Sequence, residues 1–373
     1  MIRTAFVLLM SGIGLLAMSP LLLLGAPLAL AIGLMRWTAR RLEPSVIRWP
    51  DVYEFDPRLG WRAKPNLDCH VLEDRDDVFH VVTDRFGWAG RTTVSDSEIV
   101  VVGDSHAWGY GVDHHKAFFN LNPRLRIKTI GAPGYNLVQE LLLLEQVAPQ
   151  LQGKLVVWFV YIGNDLSDNL SPEMEGYRAP FIRQRPDDGR WDIVTHHLSP
   201  AKWTCSDNAK LRRFHAVLAA LHSETAFAKR AYAACEFLLT RGYRVCREAG
   251  AELVVLSIPA LVTISESDMR NLCQARSFHL PVDRSLPDRM LGDICGRLGI
   301  CYQSLTPHLD RRHYKERDDH WTEEGHRRVA AVLQGLHRQV VGCTGQARTG
   351  QQRQALSPTC RSTSAPISSA HAT

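Results

Sequence analysis

Glu98-Ile99-Val100-Val101-Val102-Gly103-Asp104-Ser105-His106-Ala107-Trp108-Gly109-Tyr110-Gly111 is the stretch from which the fold can be read. Its apolar run, Ile99 to Val102, stops abruptly at Gly-Asp-Ser. A short β-branched run bounded by turn residues predicts a strand buried on both faces, as in a parallel sheet. In an open α/β sheet the reacting groups collect beyond the carboxyl ends of the strands. Ser105 falls at that edge, its hydroxyl and backbone N–H at a loop-to-helix transition. Gly-Asp-Ser is equally the composition of a plain turn, so the rest of the chain has to decide between them.

The same alternation continues downstream. Ile127-Lys128-Thr129-Ile130 predicts a second strand, ending at Gly131-Ala132-Pro133-Gly134-Tyr135-Asn136. A helix follows from Leu137 to about Ala148, opened by Asn136 and Gln139 in capping-box spacing and stopped by Pro149. Leu155 to Tyr161 predicts a third buried strand, ending at Gly163-Asn164-Asp165. Asp207 to Ala249 reads as mostly helical, Leu253 to Ile258 as a fourth strand stopped by Pro259, and Leu286 to Arg297 as helix. Ile300-Cys301-Tyr302 is a short strand and Glu323 to Val340 a final amphipathic helix. Strands alternating with helices argue for an α/β protein with a doubly wound parallel sheet. Leu166 to Ser206 interrupts the pattern, with Phe181-Ile182-Arg183 and Arg190 to Val194 flanking a turn at Pro186 to Gly189, the form of a β-hairpin. Following a strand's carboxyl end, such an insertion either covers a site or decorates the surface.

Outside this core, Arg48 to Arg91 is rich in Pro, Gly, Asp and aromatics and reads as a small β-rich collar. Asp56-Pro57-Arg58-Leu59-Gly60-Trp61 and Asp84-Arg85-Phe86-Gly87-Trp88 form two similar turn units within it. Ala5 to Met35 carries no charged residue and is long enough for a membrane span, which needs roughly 18 or more apolar residues. As one straight helix it would reach about 46 Å, and Pro20 and Pro27 could kink or divide it. A cleaved signal peptide is the rival reading, from Arg3 and Ala29-Leu30-Ala31, but its apolar region is normally only about 7–15 residues. The expected organisation is an anchor with basic flank at 1–41, the collar at 42–97, the α/β domain at 98–341 with its insertion at 166–206, and a disordered tail at 342–373. Arg36, Arg40 and Arg41 follow the span, which by the positive-inside rule would place the domain in the cytoplasm.

Composition narrows the function. The 373-residue chain carries a net charge of only +5, and no Lys/Arg cluster interleaves with aromatics, so no nucleic-acid partner is expected. Its nine cysteines form no C-x-x-C pair, which argues against a zinc site, and their scatter suggests no disulfide framework. No metal or organic cofactor is expected.

The strand ends bring together the components of acyl transfer, which needs a nucleophile, a base and donors aimed at a developing oxyanion. Ser105 is the candidate nucleophile. The Ser105 N–H, the Gly134 N–H and the Asn164 amide are the candidate oxyanion donors. The candidate base is His320, in Asp318-Asp319-His320-Trp321, on a loop before a helix N-capped by Thr322. Asp318 is placed to hold its Nδ1–H. In an extended segment Asp319 would point the other way.

Together these blocks resemble the SGNH hydrolases, also called GDSL-type esterases and lipases, over roughly Ile99 to Val340. The resemblance rests on Gly103-Asp104-Ser105-His106, Gly131 to Asn136, Gly163-Asn164-Asp165 and Asp318 to Trp321. It implies a flavodoxin-like hydrolase fold, Ser105, Asp318 and His320 as catalytic triad, and Ser105, Gly134 and Asn164 as oxyanion hole. It further implies an ester substrate, an acyl or acetyl group on a carbohydrate or lipid. Two departures stand out. His106 replaces the leucine of the name-giving motif, and Arg317 occupies the aspartate position of the usual Asp-x-x-His. The shorter Asp-x-His-Trp is similar to that of alginate-type polysaccharide O-acetyltransferases, whose motif blocks come in another order. Esterase, O-acetyltransferase and a non-catalytic accessory or binding subunit of a membrane acyl-transfer assembly are therefore the readings carried forward. The collar with Asp84 to Trp88 is similar to membrane-anchored bacterial members, which implies an extracytoplasmic domain, opposite to the charge rule.

Overall fold

In the computed structural model the described residues are 46–73, 77–90, 92–174, 176–201, 216–316 and 318–347. The collar consists of β1 (Val46–Arg48), β2 (Tyr53–Asp56), β3 (Gly60–Ala63), β4 (Asp68–Leu72) and β5 (Val78–Val82). β2 and β3 form an antiparallel hairpin, and the other three strands a sheet in the order β1-β4-β5. The two similar turn units work alike: Asp56 Oδ1 accepts the N–H groups of Arg58 and Leu59, and Asp84 Oδ1 those of Phe86 and Trp88. A short carboxylate that satisfies backbone donors two to four residues on is what makes Asp a turn residue.

The chain then enters β6 (Ile99–Gly103), the short α1 (Ser105–Trp108), β7 (Ile127–Gly131), α2 (Leu137–Val147), β8 (Leu155–Tyr161) and α3 (Asp165–Asp168). The insertion holds β9 (Glu173–Met174), β10 (Tyr177–Arg178) and the antiparallel pair β11 (Phe181–Gln184) and β12 (Trp191–Val194), the hairpin expected from its flanks. Next come α4 (Ala226–Glu248), β13 (Glu252–Ile258), α5 (Leu261–Ile264), α6 (Glu266–Ala275), α7 (Leu286–Leu298), β14 (Cys301–Ser304) and α8 (Glu323–Ala347). The core sheet has the order β14-β13-β8-β6-β7, and every pair in it is parallel. In chain order this is the doubly wound arrangement in which the second strand lies outside the first and the third begins the other half, so the crevice opens between β6 and β8.

β6 and β8 are buried along their whole length. Successive side chains leave opposite faces. Val100, Val102, Val156, Trp158 and Val160 face one core with Leu141, Leu144, Leu238 and Leu291 from α2, α4 and α7. Ile99, Val101, Val157 and Phe159 face the other with Val329 and Leu333 of α8, Trp108, and collar residues Val71, Phe79 and Val81. A continuous apolar run is therefore required, since no strand position meets water. The α2 capping box forms as the spacing predicts: Asn136 Oδ1 accepts from the Val138 and Gln139 N–H groups, and Gln139 Oε1 accepts from Asn136 N–H.

Several boundaries differ from expectation. The helix expected over Asp207–Ala249 is interrupted at 221–225. Thr225 N-caps α4 there, its hydroxyl accepting from Ala228 N–H, which lets a new helix start at Ala226. The part of that prediction at 207–215 lies outside the described residues. The last helix runs past Val340 to Ala347, so 342–347, expected within a disordered tail, is helical. No proline interrupts it, and each added residue gains a backbone bond once the helix is nucleated. The last core strand is Cys301–Ser304 rather than 300–302, and α5 and α6 after Pro259 were not anticipated. The apolar segment 5–35 and its basic flank lie outside the described residues. Among the described residues no helix is long and apolar enough to cross a membrane.

Candidate active site

Ser105 stands at the carboxyl end of β6. Asp104 opens the turn, its carboxylate accepting the His106 N–H at 2.9 Å, and Ser105 is the first residue of α1. Ser105 Oγ lies 2.8 Å from His320 Nε2, and His320 Nδ1 lies 2.7 Å from Asp318 Oδ1. The three residues, spread over 215 positions of the sequence, form one continuous relay. The His320 loop is closed by a bridge between Tyr314 and Trp321. Thr322 caps α8 as expected, its hydroxyl accepting from Gly325 N–H.

The electrostatics suit proton transfer. Burial opposes a charge on His320, but the Asp318 carboxylate and its bond to Nδ1, with Asp104 and Asp319 beyond, outweigh it and raise the imidazole pKa above its ordinary value. Burial likewise opposes the Asp318 carboxylate, yet His320 holds it down at about 2. A carboxylate that stays ionised and accepts Nδ1–H leaves Nε2 as the lone-pair nitrogen facing the serine. The Tyr110 ring packs 4.4 Å from the His320 ring, covering one face.

The expected donors lie at the next two strand ends. Gly134 follows β7 with φ +80°, in the left-handed region, and an added Cβ would lie 3.3 Å from Met174 Cε and 3.5 Å from the Trp61 ring. Both the backbone conformation and the space call for glycine. The collar holds this loop from beneath: Trp61 Nε1–H and Tyr53 O–H donate to Pro133 O at 3.1 and 3.2 Å, and Tyr135 O–H donates to Trp61 O at 2.7 Å. Asn164 follows β8, the neighbour of β6, and is buried. One of its Nδ2–H groups donates to Asp104 Oδ2 at 3.3 Å. A primary amide has two such hydrogens, so a second remains for an oxyanion. Burial disfavours the Asp104 carboxylate, but its contacts with His106 keep its pKa below the usual value, which maintains a charged acceptor for Asn164.

Of the residues expected from the sequence, Ser105, His320 and Asp318 are in contact and Asn164 rests on Asp104; the residues behind them were not anticipated. Glu140 and Asp165 are fully buried, and burial together with neighbouring carboxylates pushes both pKa values well up. Trp158 Nε1–H donates to Glu140 Oε2 at 2.6 Å, and Tyr161 N–H to Asp165 Oδ2 at 2.6 Å. A glutamate inside the Leu-rich run of α2 was the visible signal for the first. Tyr161, His106 and Asp319 form a second group beside the relay, with the Asp319 carboxylate on Tyr161 rather than on His320.

No family model matches this chain, and no curated protein does. Solved structures do resemble it in part. Phospholipase A1 from Streptomyces albidoflavus NA297 is 15% identical, over 64% of this chain and 98% of that one, with a TM-score of 0.38. The extracellular lipase from Streptomyces rimosus is also 15% identical, over 64% and 99%, with a TM-score of 0.37. A GDSL-like lipase from Bacteroides thetaiotaomicron VPI-5482 is 12% identical, over 65% and 88%, with a TM-score of 0.33.

Proposed function

We propose that this chain is a serine esterase of the SGNH type. The observation that carries the reading is the Ser105–His320–Asp318 relay, with contacts of 2.8 and 2.7 Å, at the carboxyl edge of a doubly wound sheet. His320 takes the Ser105 proton as Oγ attacks an ester carbonyl. The tetrahedral oxyanion is held by the N–H groups of Ser105 and Gly134 and by the Asn164 amide. As the intermediate collapses, the C–O bond to the alcohol breaks and His320 returns the proton to the departing oxygen. The acyl group remains on Ser105 until water, activated by the same histidine, releases it.

The same chemistry with a sugar hydroxyl in place of water gives an O-acetyltransferase. The pairing of His320 with the aspartate two residues before it, in Asp-x-His spacing, favours that second reading. An acylated carbohydrate or lipid as substrate, and attachment to a membrane through residues 5–35, belong to the same proposal.

The test is labelling of the full chain in detergent with a fluorophosphonate, followed by p-nitrophenyl acetate and acetylated sugars as substrates. Labelling and turnover that vanish in Ser105→Ala are expected. A folded wild-type protein that takes no label, or a Ser105→Ala variant that labels equally well, overturns the reading. Product analysis in the presence of an acceptor sugar separates hydrolysis from transfer.

A further inference from the structure

The loop that carries the base presents two adjacent carboxylates, Asp318 and Asp319, to one histidine. Only Asp318 reaches it. Asp319 is held from two sides: its Oδ2 accepts the Tyr161 O–H at 2.8 Å, and its backbone carbonyl lies 3.1 Å from His106 Nε2, which as the protonated nitrogen donates to it. Tyr161 is the last residue of β8 and His106 lies in α1 directly after β6, so the grip comes from the two sides of the crevice. His106 and Tyr161 are both buried, and their rings pack against each other at 4.3 Å. His106 Nδ1 in turn lies 3.4 Å from Asp104 Oδ1.

Gly163 belongs to the same device. An ideal Cβ built on it would lie 2.5 Å from the Tyr161 hydroxyl, inside the distance real Cβ atoms keep. The phenol folds back over this glycine on its way to Asp319. The Gly-Asn-Asp block thus has a reason for its first residue that is separate from the oxyanion donor at its second.

We propose that Tyr161 and His106 are positioning residues that determine which of the two carboxylates serves His320, with Gly163 making room for the tyrosine. This rests on the acid–base role given to His320 above. With its hydroxyl and carbonyl partners in place, Asp319 is turned out of the relay and Asp318 stands against Nδ1. Without the Tyr161 hydroxyl, the Asp319 carboxylate is released next to an imidazole that both neighbours can approach. His106, at the position of the family's leucine, adds a polar tether that leucine cannot make.

The experiment is a double-substitution cycle on the full chain with Tyr161→Phe and Asp319→Asn, read as kcat and KM, together with a crystal structure of Tyr161→Phe. Misplacing a catalytic group by about an ångström costs up to roughly a hundredfold in rate. Tyr161→Phe is expected to lower kcat by about tenfold or more with KM unchanged. Adding Asp319→Asn is expected to restore part of that loss, because the released side chain no longer carries a rival charge. His106→Phe and Gly163→Ala are expected to lower kcat in the same direction. A double variant no more active than Tyr161→Phe would mean that the tyrosine is only packing, and would overturn the proposal. The crystal structure is read independently of activity. Asp319 turned toward His320 supports the grip, while unmoved Asp318 and Asp319 refute it. A wild type without Ser105-dependent turnover would instead be a failure of the esterase reading, and the crystal structure would still decide the grip.

Discussion

Asp318→Asn tests the electrostatic argument most directly. In the structure the Asp318 carboxyl is held at about 2, against an ordinary 3.8, and its side chain is 21% exposed. At about 1.4 kcal/mol per tenfold in proton affinity, this is roughly 2.5 kcal/mol of net preference for the charged carboxylate, given mainly by His320 with Lys315 and His106 adding to it. The pair is reciprocal, so the imidazolium that forms as Ser105 attacks loses a comparable amount when the charge is removed. A loss of that size corresponds to about a hundredfold in kcat/KM, and more if the asparagine also favours the wrong tautomer. The sign of the pH effect follows. In the wild type the carboxylates raise the His320 pKa against the opposing effect of burial, so the active, neutral imidazole is reached only above its ordinary range. In Asp318→Asn burial is less opposed, the pKa falls, and the acidic limb of the kcat/KM profile moves to lower pH while the plateau drops. The assay is hydrolysis of p-nitrophenyl acetate from pH 5 to 9, with unfolding curves as a control for structure. A loss below about threefold, or an acidic limb that stays where it was, would refute the reasoning.

Asn164→Ala removes one donor from the oxyanion, and a single such donor is worth about 10²–10³ in kcat; a fall of that size with KM little changed is expected, and a KM effect alone would place Asn164 in ground-state binding instead. Glu140→Gln tests the buried carboxyl behind the site. Burial first, then the Asp104 charge, raises its pKa well above 4.5, so folded Glu140 keeps a proton the unfolded chain has lost, and stability falls as pH rises through and above 4.5. The glutamine keeps an acceptor for Trp158 and loses the titration. Urea unfolding should therefore show a shallower decline for the variant between pH 5 and 8, by up to about 1.4 kcal/mol per pH unit; parallel curves would show that Glu140 does not carry the proton.

What the sequence by itself determined was everything whose cause is local. A run such as Ile99 to Val102 can only be a strand covered on both faces, and Asn136 with Gln139 can only help to open a helix. The alternation of side chains along an extended loop put Asp318 and Asp319 on opposite sides, which pointed to Asp318 as the partner of His320; what holds Asp319 on its side lies on other elements. The two turn units of the collar were legible for the same reason, since each aspartate caps its own following residues. Only the tertiary structure decided which strand ends meet. The sheet order puts β8 directly beside β6, which brings Asn164 onto Asp104, and the loop before α8 lies over the same strand ends, which brings Asp319 onto Tyr161 and His320 onto Ser105. These are contacts between residues 60, 158 and 215 positions apart. Periodicity carries information about one element and its faces, whereas register and strand order depend on the whole core packing at once. The buried Glu140 and the collar's hold on the Gly134 loop were hidden in the same way: their partners lie on other elements, and nothing along the chain marks them until the sheet is assembled.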